Sequence, residues 1–448
     1  MSVSASAVIE TPFATEDSVA VGVDDLLIGR PIQFPIFDDS GVLLLAEGAV
    51  ITSDFKRLLR QRRLPEVKVH KDDVANITLC KDILAGIEEY NFDTALTKEL
   101  DKLVDGGLPP LQNKGPAVKD SLVSLGRIAY DNKQRERLVE RNKENGKQLN
   151  DMLDNAFNGG RLDGAVATQM ASNYLNEMRA DVENVLTSSV GVFDDDCMSH
   201  QALQTSMLAM ALGIELGFDT ANIKTLGLIG LVHDWGMMKV PKSIRRCDRP
   251  LTAQEFHEVK KHPIYSLELL DRATAIPGIV SLVSYQIHER PNGNGYPRRR
   301  SGQAIHQFAR IIAVADAYTA MTTVRNWRKP LMAYAAVETL VREAGRKAYD
   351  PVAVRALLNV LALFPIGSLV ALSDGSIARV MRRNGKNYTK PIVQRLQLSS
   401  GQRVDPTASE NILDLTQVGL SVEQALPTPG RHELTLSEAL KLTESNTW

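Results

Sequence analysis

The residues of this chain best suited to chemistry are histidines and aspartates placed at the ends of apolar segments between Asp196 and Lys329. At their centre is Val232 to Pro241, VHDWGMMKVP, in which the adjacent pair His233 and Asp234 closes a mostly apolar run. An imidazole beside a carboxylate supplies two metal ligands from one backbone position, since the carboxylate can bridge two ions while the imidazole holds one. A lone His-Asp pair says little, and its neighbours give it weight. His200 stands near the start of a helix-spaced apolar series, Leu203, Met207, Met210, Ala211 and Ile214, where taken alone it reads as a capping or surface histidine. His262 lies at a helix junction, with Pro263 able to fill the first turn of the next helix. His288 ends another apolar helix and precedes the turn-rich RPNGNGYP. Asp316 interrupts the apolar stretch Ile311 to Tyr318, where a buried carboxylate is costly without a cation. Nitrogen and oxygen donors without thiolate suit Fe, Mn, Zn or Ni, and more than four of them suit two ions bridged by a carboxylate.

The elements that must position these groups are helical. The residues following His200, the run ending at Val232, a segment opened by the capping box Thr252/Glu255, the segment after Pro263 and Phe308 to Met321 all carry helical patterns. At 448 residues the chain predicts two or three domains. Its composition, 44% hydrophobic and 24% charged with a net charge of −2, is that of a soluble protein and argues against a dedicated nucleic-acid binder. Cys80, Cys197 and Cys247 are dispersed and odd in number, which suggests neither a disulfide framework nor a thiolate zinc site and points to a reducing cytoplasm. Neither a signal peptide nor an apolar run of membrane-spanning length is expected.

Residues 1–20 read as a tail. Residues 21–105 read as a small α/β regulatory module, with a hairpin from Pro31–Ile36 and Val42–Leu45 around Asp38-Asp39-Ser40-Gly41, a helix over Thr52–Arg62 and a strand at Glu66–Val69. The Gly/Pro-rich 106–116 is the expected linker, 117–190 connecting helices and 191–364 the helical domain. Residues 365–425 read as a β appendage built on Leu369–Leu372, the Asp374-Gly375 turn, Ile377–Met381 and Pro391–Leu398. Its basic residues Arg379, Arg382, Arg383 and Lys386 predict a solvated face, and 426–448 a loosely ordered tail.

From Asp196 to Leu363 the ordered motifs resemble the HD-GYP proteins, a branch of the HD-domain phosphohydrolases. They are His200-Gln201-Ala202-Leu203, HDWGMMKVP, the KHP of Lys261 to Pro263, HERPNGNGYP with Gly295-Tyr296-Pro297, and ARIIAVADAY at Ala309 to Tyr318. The resemblance implies a mainly α fold, an all-helical bundle with a metal centre. It implies hydrolysis of cyclic di-GMP to linear pGpG or GMP, using a water that bridges two divalent ions, Fe or Mn. His200, His233, Asp234 and Asp316 would hold one ion, with Asp234 bridging to a second on His262 and His288. By the same resemblance Arg325 and Arg328 would meet substrate phosphates, with Tyr296 at the substrate, and Asp196 would be an additional ligand, its other reading being a helix N-cap. A cyclic dinucleotide is the implied ligand, a diguanylate cyclase (GGDEF) protein an associational partner, and a homodimer is compatible with the charged helix after Asp131.

The chain also departs from the family pattern. Ile287 stands where a second histidine of the His-His-Glu motif is expected, so the second ion should bind more weakly. Met237 replaces the motif lysine, with Lys239 two residues on, and Asn292 replaces an acidic residue. Two readings follow: a working phosphodiesterase, or a degenerate signalling module that binds nucleotide or a partner without turnover.

Overall fold

The computed structural model describes residues 18–23, 26, 32–77, 93–123, 125–157, 160, 162–188, 198–249, 251–325 and 328–439. They fall into two units, one containing the chain up to Tyr90 and the other running from Asn91 to Ala439 apart from a short stretch at Thr252–Gln254.

The first unit is a four-stranded sheet. Strands β1 (Ser18–Gly22), β2 (Ile36–Phe37), β3 (Leu43–Leu45) and β4 (Glu66–His70) lie in the order β1-β4-β2-β3, with α1 (Ser53–Gln61) and α2 (Lys71–Ile77) beside them. Asp38 folds the hairpin, its Oδ1 accepting from the amides of Ser40 and Val42, and Ile36 pairs with Leu45. Thr52 caps α1 by accepting from the Phe55 amide. The expected tail ends earlier than residue 20, because β1 begins pairing with β4 at Ser18.

The second unit is mainly α. Its helices are α3 (Ala95–Asp105), α4 (Asn132–Phe157), α5 (Gly164–Ser188), α6 (Met198–Glu215), α7 (Thr220–Val232), α8 (Lys242–Arg245), α9 (Ala253–Val259), α10 (His262–Asp271), α11 (Gly278–Gln286), α12 (Gln307–Thr322), α13 (Ala333–Gly345) and α14 (Pro351–Leu361). Helices α6, α7 and α12 are apolar on nearly every face, and such helices have to sit inside a bundle. Met207, Met210, Leu226, Ile229, Ile312 and Val314 are buried together in one core. A five-stranded antiparallel sheet closes the unit: β5 (Leu369–Leu372), β6 (Ile377–Arg382), β7 (Ile392–Gln397), β8 (Ile412–Asp414) and β9 (Val422–Leu426), in the order β8-β7-β6-β5-β9.

Four features differ from the sequence reading. Helix α3, expected with the N-terminal module, belongs to the helical unit. Carboxylates on it and just before it explain this: Arg298 donates to Asp93, Arg300 donates to Asp101 at 2.7 Å and to Asp105 at 2.8 Å, and Arg298 lies 3.0 Å from Asp101. The 106–116 segment is bound rather than free, the amides of Lys114 and Gly115 donating to Asp219 Oδ2, the N-cap residue of α7. The basic face of the sheet is partly internal. Arg382 is buried, bonding Asp181 through both terminal nitrogens at 3.1 and 2.8 Å and Glu183 at 2.7 Å, with its guanidinium 4.5 Å from the Tyr130 ring centre. Asp181 sits in extended backbone (φ −158°) and breaks α5 in two, accepting from the Asn184 amide as a cap for the second half. Finally, the C-terminal stretch docks in part: Leu434 exchanges backbone hydrogen bonds with Pro330 and Met332, and Ala439 is in the core.

Candidate metal centre

The His-Asp pair is built by a contact that leaves no spare room. Helix α7 ends at Val232, His233 still donating its amide to Ile229, and Asp234 turns the chain (φ −95°, ψ 9°) into a 3₁₀ turn, Trp235–Lys239. A Cβ on Gly236 would fall 2.0 Å from the His262 carbonyl and 2.4 Å from the Ser266 amide, so only glycine lets this turn meet the start of α10. Ser266 fastens the contact, its hydroxyl donating to the His233 carbonyl at 2.6 Å and accepting from the Gly236 amide at 2.8 Å. His262, the first residue of α10, is thereby delivered to Asp234.

Two groups of donors result, and they share Asp234: His233, Asp234 and Asp316 in one, Asp234, His262 and His288 in the other. Asp234 Oδ1 lies 3.2 Å from His262 Nε2, 3.4 Å from His233 Nε2 and 3.6 Å from His288 Nε2, and Asp316 Oδ1 is 3.6 Å from His233 Nε2. The far sides of two imidazoles are fixed by carbonyls, His233 Nδ1 against Gly230 O at 3.0 Å and His262 Nδ1 against Val259 O at 2.7 Å. A carbonyl can only accept, so each Nδ1 carries a proton and each Nε2 faces the centre, the arrangement that orients metal-bound histidines.

Burial alone would drive the carboxylates neutral and the imidazoles uncharged, and their mutual contacts oppose it. Despite burial, Asp234 is held well below the usual carboxylate range by His233, His262 and His288. Asp316 is likewise lowered against burial by its contact with His233. His233 is raised to about 9 against its burial, by Asp234 and Asp316. Burial, reinforced by His262, lowers His288 to about 4 although Asp234 pulls the other way.

The residues present fit a metal. His233 Nε2 and Asp234 Oδ1 are buried without a hydrogen bond of good geometry, beside further nitrogen and oxygen donors and no thiolate.

The structure brings His233, Asp234, His262, His288 and Asp316 together and leaves His200 outside both groups. On α6 successive side chains diverge by about 100°. Gln201 points to Asp316, donating from Nε2 to Oδ1 at 3.1 Å, while His200 turns towards α4, where a Cβ on Gly146 would lie 3.0 Å from its Nε2. Asp196 lies outside the described residues. Tyr296 stacks on His288 with ring centres 4.9 Å apart and planes 5° from parallel. Its loop needs Gly295, whose Cβ would sit 2.4 Å from the backbone of Glu289 and Arg290. Arg325 is half-buried and donates to Gln201 Oε1. Arg328 is committed elsewhere: it is buried, and its guanidinium donates to the carbonyls of Ala320, Met321 and Lys329 at the end of α12. That placement corrects its expected phosphate role to one of capping.

Of the departures, Ile287 is wholly buried in the core and offers no donor where the second histidine was expected. Lys239 pairs with Glu268. Sequence reasoning missed Gln201, Ser266, Glu289 and Lys260. Glu289, beside His288, is buried and accepts the amides of Arg298 and Arg300 at 2.7 and 2.8 Å, locking the GYP loop. Lys260, one residue before the KHP motif, holds its ammonium 4.7 Å from the Phe256 ring centre and 5.9 Å from that of Tyr296, a cation beside the GYP loop. Its place just ahead of His262 was the available signal.

Residues 183–352 match the family model described as "HD domain". A cyclic di-GMP phosphodiesterase of Pseudomonas aeruginosa is 29% identical over 267 residues, covering 59% of this chain and 63% of that protein. Cyclic di-GMP phosphodiesterase PdeB of Borreliella burgdorferi is 24% identical over 226 residues, covering 50% of this chain and 59% of that protein. The 3'3'-cGAMP-specific phosphodiesterase 1 of Vibrio cholerae is 36% identical over 121 residues, covering 27% of this chain and 28% of that protein. The chain thus spans about three fifths of the length of the first two relatives. With the shared carboxylate and its histidines in place and the family match over the same helices, residues 183–352 of the chain carry an HD domain, and the GYP loop packed on His288 is the feature that resembles the HD-GYP branch.

Proposed function

We propose that this chain is a metal-dependent phosphodiesterase of cyclic dinucleotides, with cyclic di-GMP the first candidate and linear pGpG or GMP the product. The observation that carries the reading is the sharing of Asp234 between two donor groups. His233, Asp234 and Asp316 would hold one divalent ion, and Asp234, His262 and His288 a second that has one imidazole fewer than the family pattern. Such ions, Fe or Mn by the resemblance among the four that the donor set suits, would supply a water of lowered pKa and neutralise phosphodiester oxygens.

The chain's own residues do the rest. Gly230 and Val259 carbonyls keep the Nε2 atoms of His233 and His262 aimed at the centre. Tyr296 covers one face of the His288 ring and fixes its plane. Arg325 is the cationic group beside Asp316, one carboxamide away, and is suited to a phosphate there. A base of the substrate would have aromatic surface at Tyr296 and an ammonium at Lys260.

The second reading, a module that binds nucleotide or a protein without turnover, is favoured by Ile287 in the core and by Arg328 on backbone carbonyls. A diguanylate cyclase docking on the GYP loop would have to compete with α3 for Arg298 and Arg300. A cytoplasmic setting fits the substrate class, and no described helix is long and apolar enough to cross a membrane.

The test is turnover by anaerobically purified protein loaded with Fe(II) or Mn(II), followed by chromatography beside Asp234→Ala. Linear dinucleotide or GMP from wild type alone supports the enzyme. Binding without turnover supports the second reading, and neither binding nor turnover removes the substrate class.

A further inference from the structure

The seam between α6 and α12 carries polar groups where an apolar bundle would be expected to exclude them. Thr205 and Thr319 share a hydrogen bond at 2.8 Å, and one turn earlier on α6 Gln201 reaches Asp316. The two ends of the Gln201 carboxamide have different partners, and their chemistry fixes its orientation. Asp316 as a carboxylate can only accept, so it takes the NH2 group; the Arg325 guanidinium can only donate, so it takes the carbonyl. Gln201 is therefore a neutral spacer between a carboxylate of the metal centre and a cation.

The spacer matters because of what direct contact would do. A guanidinium seated on Asp316 would occupy the oxygen that faces His233 and compete with an ion for its charge. Held one carboxamide away, Arg325 stays beside the centre, and the neutral Gln201 amide on Oδ1 leaves the carboxylate's charge to an ion. The backbone cooperates: Arg325 and Arg328 exchange hydrogen bonds at 3.1 and 3.2 Å, and the Arg328 side chain is tied to the end of α12 through the Ala320 carbonyl at 2.8 Å. Arg325 is thus held by its backbone to an anchored residue, with its terminal nitrogen oriented by Gln201.

We propose that Gln201 is a positioning residue that aims Arg325 at a phosphate bound on the Asp316 side of the metal centre. This deepens the phosphodiesterase reading and rests on it for the identity of the anion.

The test is a double-mutant cycle on the full chain with Gln201→Met, which keeps length and helix propensity, and Arg325→Ala. Affinity for cyclic di-GMP and for inorganic phosphate is measured calorimetrically on metal-free and Mn(II)-loaded protein, with metal content and melting temperature recorded for each variant. Gln201→Met should weaken nucleotide binding about tenfold or more, as expected for losing a hydrogen bond to a charged group. In the Arg325→Ala background the same change should cost less than about twofold, since coupled residues are not additive. Metal content of Gln201→Met should equal that of wild type. Equal losses in both backgrounds, or loss of metal by Gln201→Met, overturn the proposal: the first shows independence from Arg325 and the second a role confined to Asp316. Coupling seen with inorganic phosphate but no binding of cyclic di-GMP or 3'3'-cGAMP keeps the Gln201 role and removes the substrate reading. Wild type that binds neither phosphate nor dinucleotide overturns both.

Discussion

His262 and His288 face each other Nε2 to Nε2 at 2.9 Å, from the first residue of one helix and the residue pair beyond the end of the next. Two such nitrogens can share one proton or accept one cation between them, and Asp234 stands 3.2 and 3.6 Å away to balance it. Loss of either imidazole should therefore empty one of two positions, whereas loss of Asp234 should disturb both. His288→Ala is expected to keep about one ion per chain and Asp234→Ala to fall below that, read by elemental analysis after dialysis. Equal metal content in the two variants would contradict the sharing of Asp234.

The approach of Gly236 to α10 gives a second expectation. Its added Cβ would meet backbone atoms of His262 and Ser266, which cannot swing aside. Gly236→Ala should cost about 1–3 kcal/mol by overpacking and move His262 relative to Asp234. Chemical denaturation together with metal content would check both effects, and an unchanged protein on both counts would mean that the turn has slack.

His306 predicts the pH dependence of α12, the helix bearing Asp316. Its Nδ1 accepts the Phe308 amide at 3.1 Å, so the ring caps the helix as a neutral imidazole. Burial, with Arg310 adding to it, lowers the group from 6.5 to about 4. A lowered histidine stabilises the fold fully above its unfolded value of 6.5, and this contribution is lost progressively as pH falls towards 4. The loss amounts to up to about 3 kcal/mol. His306→Asn keeps a capping side chain without a titration, so its stability should fall less between pH 7 and pH 4 than that of wild type, as measured by denaturant titration. Parallel pH profiles would exclude His306 as the source.

Arg382 and Asp181 join the sheet to the broken helix α5 inside the protein. Removing one side of a buried ion pair leaves the other uncompensated, at a cost of about 3–5 kcal/mol. Arg382→Met should therefore destabilise strongly, because it leaves Asp181 without its cation and Glu183, whose carboxyl burial already raises, with Arg383 alone. The triple change Arg382→Met, Asp181→Asn, Glu183→Gln should recover much of the loss in thermal unfolding. No recovery would place the cost in packing against Tyr130 instead.

The mainly α character of the chain, its helical bundle and the two small sheets were legible from periodicity, because apolar runs too long for strands and hairpins with Asp-Gly or Ser-Gly turns leave few alternatives. The candidate donors His233, Asp234, His262, His288 and Asp316, which the structure brings together, were legible as residue types at element ends or within an apolar helix. What escaped was direction. Nothing in SHQALQT tells which of His200 and Gln201 faces Asp316, since the two differ by one step around α6 and the choice is made by the packing of α4 and α12. Arg382 looked exposed because charge is usually outside, yet it finds its partners only when the sheet meets the α5 break, and Arg328, expected at a phosphate, instead folds back onto the carbonyls closing α12 a few residues earlier. Strands β8 and β9 have too little alternation to be seen before their neighbours pair.

The attachment of α3 to the GYP loop alters how this protein can be dissected or grafted. The stretch that matches the family model, residues 183–352, contains Arg298 and Arg300 but not Asp93, Asp101 or Asp105, which occupy them. A fragment trimmed to that stretch, or a chimera that joins it to a foreign sensor at the Gly/Pro segment, would retain every donor of the metal centre and yet lose the acidic partners of the loop that carries Tyr296 onto His288. The smallest portable piece that keeps the loop's partners therefore begins upstream of its recognisable motifs, at Asp93.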